Sequence, residues 1–405
     1  MSNHLVSTPV QADAVAVNPM GFDRARPSVA RARRVVIKLG TRVLMNDDQR
    51  LATERIHELI RVMVTLQAAD REVVVVSSGA FGIGRATLCD TDDAIDDPTQ
   101  RRACASVGQA RLVSLYQRAF ARHDLACAQV LLTEEDFDHR KRYLDLRATL
   151  DRLLDAGVVP LLNENDAVSH GTMPRLTGGD AIFGDNDRLA ALVAAKCDAD
   201  LLVLLTDVEG VYERNPRRDP NARVIDHVDD LARLIDGLDP AADTTISRGG
   251  MRTKVEAARV AAFGGCDVVI ASGRRPCALA EVVAGHATGT WLPPVASLTA
   301  RRRWIGFAAA SKGILRLDAG AVEALHTRHA SLLPVGVSAI EGEFRRGDVI
   351  ELRDPNDRLI GRGLTPWNVD EIRRWVEQRM SPFDLDGRTA NCLLRRTDVV
   401  LAQPC

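Results

Sequence analysis

The chain has 405 residues, 46% hydrophobic and 27% charged, the balance of an ordinary soluble protein with room for two domains that each bury a core. A formal net charge of −2 and a pI near 6.5 exclude a chain built throughout to hold polyanions, and no apolar run approaches the ~18 residues a membrane span needs. The eight cysteines form no CxxC pair, which excludes a zinc or redox motif of that spacing and fits reduced thiols in a cytoplasmic protein.

Residues 1–31 mix Ser, Thr, Pro, Asn and Arg without periodicity and hold no signal-peptide apolar core, so they read as a disordered N-terminal extension. Ordered structure opens with RVVIKLG (34–40), a β-branched run ended by glycine, the pattern of a buried strand. Ile56, Leu59, Ile60, Met63 and Leu66 then recur at helical spacing. VVVV (73–76) followed by Ser77-Ser78-Gly79 predicts a second strand closed by a small-residue turn. The alternation continues with helices over 99–122, 140–155, 186–198 and 250–263, and strands over 126–132, 158–162, 201–205 and 267–271.

Strands apolar on both faces that alternate with helices mean an α/β fold: a mainly parallel sheet covered by helices on each side, a three-layer αβα sandwich over 32–295. Pro293-Pro294 and Arg301-Arg302-Arg303-Trp304 mark a linker over 296–310. Beyond it, short strands at 313–317, 334–340, 348–352 and 398–401, with helical segments at 319–328 and 368–378, predict a small β-rich domain over 311–402. That domain carries 14 Lys and Arg against 14 Asp and Glu over 311–405, which offers no basic footprint for RNA.

Ligands of such sheets sit beyond the carboxyl ends of the strands, so the strand-end turns are where chemistry is expected. No GxxxxGK[ST] loop, no HRD or DFG pair and no GxSxG elbow is present, and His57-Glu58 lacks the second histidine of a zinc helix. Instead Lys38 stands at the exit of the first strand and Ser78-Gly79 ends the second. Asn163-Glu164-Asn165-Asp166 closes another strand, Gly184-Asp185-Asn186-Asp187 precedes a helix, and Thr206-Asp207 ends the strand after it. Finally Gly249-Gly250-Met251-Arg252-Thr253-Lys254 leads into a helix. Any one of these is a weak signal: a strand-end lysine is ordinarily solvated, and Asp or Asn before a helix ordinarily caps it.

Together, two lysines, two glycine-lined helix starts and a cluster of Asp and Asn suit phosphoryl transfer to a substrate with charges of its own. No histidine accompanies them as a general base. A carboxylate acceptor, ionised at neutral pH, needs none, whereas an alcohol would.

In this order the motifs VVIKLGT (35–41), VVVVSSGA (73–80), ASVGQARL (105–112), RYLDLRATL (142–150), LLNENDAV (161–168), FGDNDRLAALVA (183–194), LLTDVEGVY (204–212) and RGGMRTK (248–254) resemble the amino-acid kinase family. Within it they resemble the branch that phosphorylates the side chain of L-glutamate. The C-terminal segment, with SLLPVG (331–336) and FRRGD (344–348), resembles a PUA domain. The resemblance implies an ATP-dependent kinase in which Lys38 and Lys254 neutralise the transferring phosphoryl group and Asp187 holds them. It implies that Ser78, Asp166 and Asn186, helped by Asn163 and Asp185, bind glutamate. Lys38, Thr206, Asp207 and the segment Gly249, Gly250, Met251, Arg252, Thr253, Lys254 would bind ATP, with Mg2+ held mainly by the ATP phosphates and no protein metal ligand assigned. The product would be L-glutamyl 5-phosphate, with feedback inhibition by proline and assembly into a homo-oligomer, a dimer or tetramer.

Another acceptor, such as aspartate or an N-acylated glutamate, and an RNA-binding or regulatory relative acting through the PUA domain are the alternatives. Arg42, Arg248, Asp145 and Ala148 depart from the residues common in the family, and the stretch 167–183 is longer than expected. That stretch is expected to border the substrate site and to bear on substrate range and proline sensitivity.

Overall fold

The structure is a computed structural model. It describes residues 25–401 except 89–96, 169–185, 236–249, 296–304, 307–310 and 378–391, and except positions 49, 134, 217, 218, 220, 229, 232, 233 and 329. The N-terminal part runs α1 (Pro27–Ala30), β1 (Arg34–Leu39), α2 (Thr41–Leu44), α3 (Thr53–Ala68), β2 (Glu72–Ser77), α4 (Ala80–Leu88), α5 (Pro98–Ala121), β3 (Cys127–Leu132), α6 (Glu135–Asp138), α7 (Arg140–Asp155), β4 (Val159–Glu164), α8 (Asn186–Lys196), β5 (Leu201–Thr206), α9 (Met251–Phe263), β6 (Asp267–Ser272), α10 (Ala278–Val283) and β7 (Thr290–Leu292). The C-terminal part runs β8 (Ser311–Leu317), α11 (Ala319–Thr327), β9 (Val337–Gly342), β10 (Val349–Arg353), β11 (Leu359–Leu364), α12 (Val369–Glu377) and β12 (Val399–Leu401).

The large sheet has the order β3-β4-β2-β1-β5-β6-β7. Its pairs are parallel except the last, where β7 runs antiparallel to β6. The period of two in β1 sorts its side chains to two cores. Val35, Ile37 and Leu39 join α3, α5 and α10 on one face. Val36 joins α7, α8 and α9 on the other. This is the three-layer sandwich, and by the same period Lys38 leaves the sheet on the side of α8 and α9. The small sheet has the order β12-β11-β10-β8-β9 around its own core of Leu315, Ile350, Leu352 and their neighbours.

Local chemistry explains the elements that frame the site. Asp97 caps α5, its carboxylate accepting from the N–H groups of Thr99 and Gln100, with Pro98 pre-set at the first helical position. α4 and α5 then pack backbone against backbone. A Cβ on Gly84 would lie 1.7 Å from the Cys104 carbonyl oxygen, and one on Gly108 would lie 1.7 Å from that of Ala80. Gly79, at φ +103°, makes the turn from β2 into α4 that a side chain would strain.

Several sequence expectations change. The helix expected over 99–122 is preceded by a second one, α4, whose two glycines disguise its helical pattern. β7 and β11 are absent from the sequence reading, β7 because it is three residues long and β11 because LIGRGL alternates with glycine. Of the segment 1–31 expected to be disordered, residues 25–31 are ordered. Arg26 is 3% exposed, donating to the carbonyls of Thr288 and Gly289 and pairing with Asp226 at 2.8 Å, and Val29 is fully buried. Residues 1–24 lie outside the described residues, as does most of the linker over 296–310; Ile305, inside it, is buried.

Candidate active site

Four neighbouring strands, β4-β2-β1-β5, present the predicted residues along one edge of the sheet. Asn163 belongs to β4, Ser78 follows β2, Lys38 is the penultimate residue of β1, and Thr206 ends β5. Lys38 stands at the exit of its strand, as expected, and Asn163 sits inside β4, whereas the sequence placed it in the turn beyond. The strand ends are tied to one another: the Ser78 N–H donates to the Leu39 carbonyl at 3.0 Å, and the Gly273 N–H to that of Thr206 at 2.7 Å.

At the centre, Lys38 Nζ lies 2.5 Å from one carboxylate oxygen of Asp187, and Lys254 Nζ lies 3.0 Å from the other. Asp187 is fully buried, Lys38 4% exposed and Lys254 9% exposed. Two ammonium groups thus share one carboxylate, in the first turn of α8, where the helix dipole also favours a negative charge. The formal sum is one positive charge away from bulk water. Such a site attracts an anion far more strongly than an exposed lysine does. Capping of α8 is therefore too small a role for Asp187.

On one side of this centre runs a chain of amides. Asn186 Nδ2 donates to Ser78 Oγ at 3.0 Å and to Asn163 Oδ1 at 3.0 Å. Asn163 Nδ2 donates in turn to Gln109 Oε1, on α5, at 2.6 Å. Asn186 and Asp187 are consecutive, so the amide chain and the lysine pair share the start of α8. Beneath the chain, Ser77 Oγ and the Tyr116 hydroxyl lie 3.0 Å apart in full burial, which pushes the Tyr116 phenol well up. Asp166 lies in the turn after β4.

On the other side, Thr206 Oγ1 donates to Asp207 Oδ1 at 3.2 Å, and Arg42 Nη1 lies 2.9 Å from Asp207 Oδ2. Burial alone would raise the Asp207 pKa. The hydrogen bond and charge of Arg42, then the bonds from its own backbone and from Thr206, outweigh this and hold it below the usual carboxylate range. Gly250 caps α9 without a side chain, so no side-chain cap bond takes the first N–H groups of that helix. Two residues of that segment point elsewhere: Thr253 Oγ1 donates to the Gly250 carbonyl at 2.8 Å, and Arg252 pairs with Glu256 one turn on at 3.1 Å. Met251 packs partly into the core under α9.

Asp185 and Gly249 lie outside the described residues, as does the loop over 167–183 beyond Val168. Among the described residues no group of three His, Cys, Asp or Glu is placed to hold a metal ion. No helix among them is long and apolar enough to cross a membrane. Sequence reasoning missed Gln109 and Tyr116 as neighbours of the site, although ASVGQARL carries the first. Arg42 stood out in the sequence only as a departure; its partner, Asp207, is 165 residues away.

A family profile described as "Amino acid kinase family" matches residues 33–272, and one described as "PUA domain" matches 313–381. Among curated proteins, the glutamate 5-kinase of Myxococcus xanthus is 43% identical over 360 residues, covering 89% of this chain and 93% of its own length. The glutamate 5-kinase of Chromohalobacter salexigens is 44% identical over 360 residues, covering 87% and 91%. That of Trichlorobacter lovleyi is 40% identical over 379 residues, covering 93% and 98%. Among solved structures, the UMP kinase from Bacillus anthracis superposes with a TM-score of 0.46 at 14% identity, over 66% of this chain and 98% of its own.

Proposed function

Because the chain belongs to the amino acid kinase family, and within it to the glutamate 5-kinases, we propose that Lys38, Asp187 and Lys254 form its phosphoryl-transfer centre. A glutamate 5-kinase is a phosphotransferase with a carboxyl acceptor that uses ATP, and its reaction is the first step of proline biosynthesis. The observation that carries our reading is the buried pair of lysines on one carboxylate, placed between an amide-lined side and a glycine-capped helix start.

Glutamate lies on the β4-β2 side, with Ser78, Asn163, Asn186, Asp166 and Asp185 around it. ATP lies on the β5 side, against Thr206, Asp207 and the segment Gly249, Gly250, Met251, Arg252, Thr253, Lys254, of which Gly250 and Lys254 are supported by their placement. A side-chain carboxylate oxygen of glutamate attacks the γ-phosphorus as the bond to the β-phosphate oxygen breaks, giving L-glutamyl 5-phosphate and ADP. The nucleophile arrives ionised, so no base is required. The need is to offset negative charge that spreads over the transferring group, and Lys38 and Lys254 do this from fixed positions. Asp187 keeps the two like charges together before the phosphates arrive. Mg2+ brought by ATP would supply further charge neutralisation; no described residue is assigned to it.

Proline, which also bears an α-carboxylate and an amine, would compete on the acceptor side, and assembly into a dimer or tetramer is an expectation that sedimentation would measure. The decisive test of the reaction is to trap the acyl phosphate. With ATP and Mg2+, L-glutamate plus hydroxylamine should give the γ-hydroxamate, and aspartate or N-acetylglutamate should give much less. A hydroxamate formed from another acid but not from L-glutamate would overturn the assignment.

A further inference from the structure

The amide chain beside the lysines has a direction. An asparagine or glutamine side chain offers one carbonyl oxygen and one NH2 group. Asn186 uses its NH2 on Ser78 and Asn163, and Asn163 uses its own on Gln109. The chain therefore begins with the carbonyl oxygen of Asn186 and ends with the NH2 of Gln109. Both of these atoms, Asn186 Oδ1 and Gln109 Nε2, are buried, and neither has a hydrogen-bond partner among the described residues. A buried polar atom left unpaired is costly, and where one persists a ligand is a natural explanation.

One acceptor and one donor, set at the two ends of a rigid chain, match the two charged groups of an α-amino acid: ammonium to the acceptor, α-carboxylate to the donor. The frame is stiff. Asn163 is fixed in β4, and Gln109 directly follows Gly108, whose backbone is pressed against Ala80 of α4. We propose that Gln109 is a substrate-binding residue whose Nε2 donates to the α-carboxylate of the amino-acid acceptor. This rests on the reading of Ser78, Asn163 and Asn186 as the acceptor side. In that role Gln109 sets specificity: it favours acceptors with an α-carboxylate over acids of similar length that lack one, such as 4-aminobutyrate.

The full-length chain carrying Gln109→Glu isolates the donor. Gln109→Glu keeps an oxygen to accept from Asn163 and replaces only the NH2 by a carboxylate oxygen that repels the substrate. Initial rates of hydroxamate formation, with glutamate and ATP varied separately, give the two KM values. The KM for L-glutamate should rise about tenfold or more while that for ATP stays within about twofold, as losing a charge-assisted hydrogen bond and gaining a repulsion implies. A purely structural role would move both KM values together, and that result overturns the proposal, as does an unchanged glutamate KM. If Gln109→Glu does not fold, Gln109→Ala is read by the same criterion. Native protein that makes no hydroxamate from L-glutamate refutes the functional reading itself; active native protein with an unmoved glutamate KM refutes only the role of Gln109.

Discussion

The Lys254 ammonium reaches from the first turn of α9 to within 3.0 Å of the Asp187 carboxylate at the start of α8. Its position is set without a ligand, so the contribution proposed for it is to the charge that develops during transfer. Lys254→Ala is expected to lower kcat by about 10²-fold or more, as removal of a preorganised charge-stabilising group does, with a much smaller rise in the glutamate KM. Steady-state kinetics with both substrates varied would check this. An unchanged kcat would remove Lys254 from the mechanism.

Asp187 has the opposite character. Asp187→Asn leaves two buried lysines facing each other with no counter-charge, so it should damage stability as well as rate. Breaking a buried ion pair from one side costs about 3–5 kcal/mol. Urea unfolding should show a lowered midpoint for Asp187→Asn and a smaller shift for Lys254→Ala, which leaves one lysine on the carboxylate.

The contact between α4 and α5 has no side chain to yield. Gly108→Ala would place a methyl group 1.7 Å from the Ala80 carbonyl oxygen, so one helix must move. Overpacking of a close contact costs about 1–3 kcal/mol, and here the neighbour is backbone. Because Gln109 follows at once, Gly108→Ala should also raise the glutamate KM while sparing that for ATP. A midpoint equal to the native one would mean that α4 gives way freely.

The Arg42–Asp207 pair makes a pH prediction. The Asp207 pKa is lowered in the folded protein from 3.8, so the pair stabilises the fold above that value and loses the contribution as pH falls through the folded pKa. Arg42→Met should therefore lower Tm at neutral pH, with the difference from native shrinking below about pH 3.8. Because Asp207 adjoins the proposed nucleotide side, the variant should also raise the ATP KM. A Tm difference that grows toward acid would contradict the pair's role.

How far the sequence could be read follows from the range of the interactions. The central strands were legible because RVVIKL, EVVVVS and LLVLLT are apolar on both faces, a local signature of a covered parallel sheet. Lys38, Asn163 and Thr206 stood out because polar residues at the ends of such runs are costly to bury without a purpose. α4 was not legible, since AFGIGRATL reads as a turn until Gly84 meets its partner on α5. The order of residues 25–31 was hidden for the same reason: the partners of Arg26 lie 200 or more residues away. Gln109 was visible only as a polar residue among small ones, and the role proposed for it depends on Asn163, 54 positions later.

The sheet order β4-β2-β1-β5 has a consequence for how such an enzyme can diversify. The residues proposed for the acceptor and for the nucleotide hang from different strands, and among the described residues the two sets adjoin Lys38 and Asp187. Substitutions that retune the choice of acid can then accumulate on β4 and α5 without a matching change around β5. On the proposed assignment the two recognition tasks are modular, and a library that varies one half while holding the other constant should yield altered acceptor preference with nucleotide affinity inherited intact.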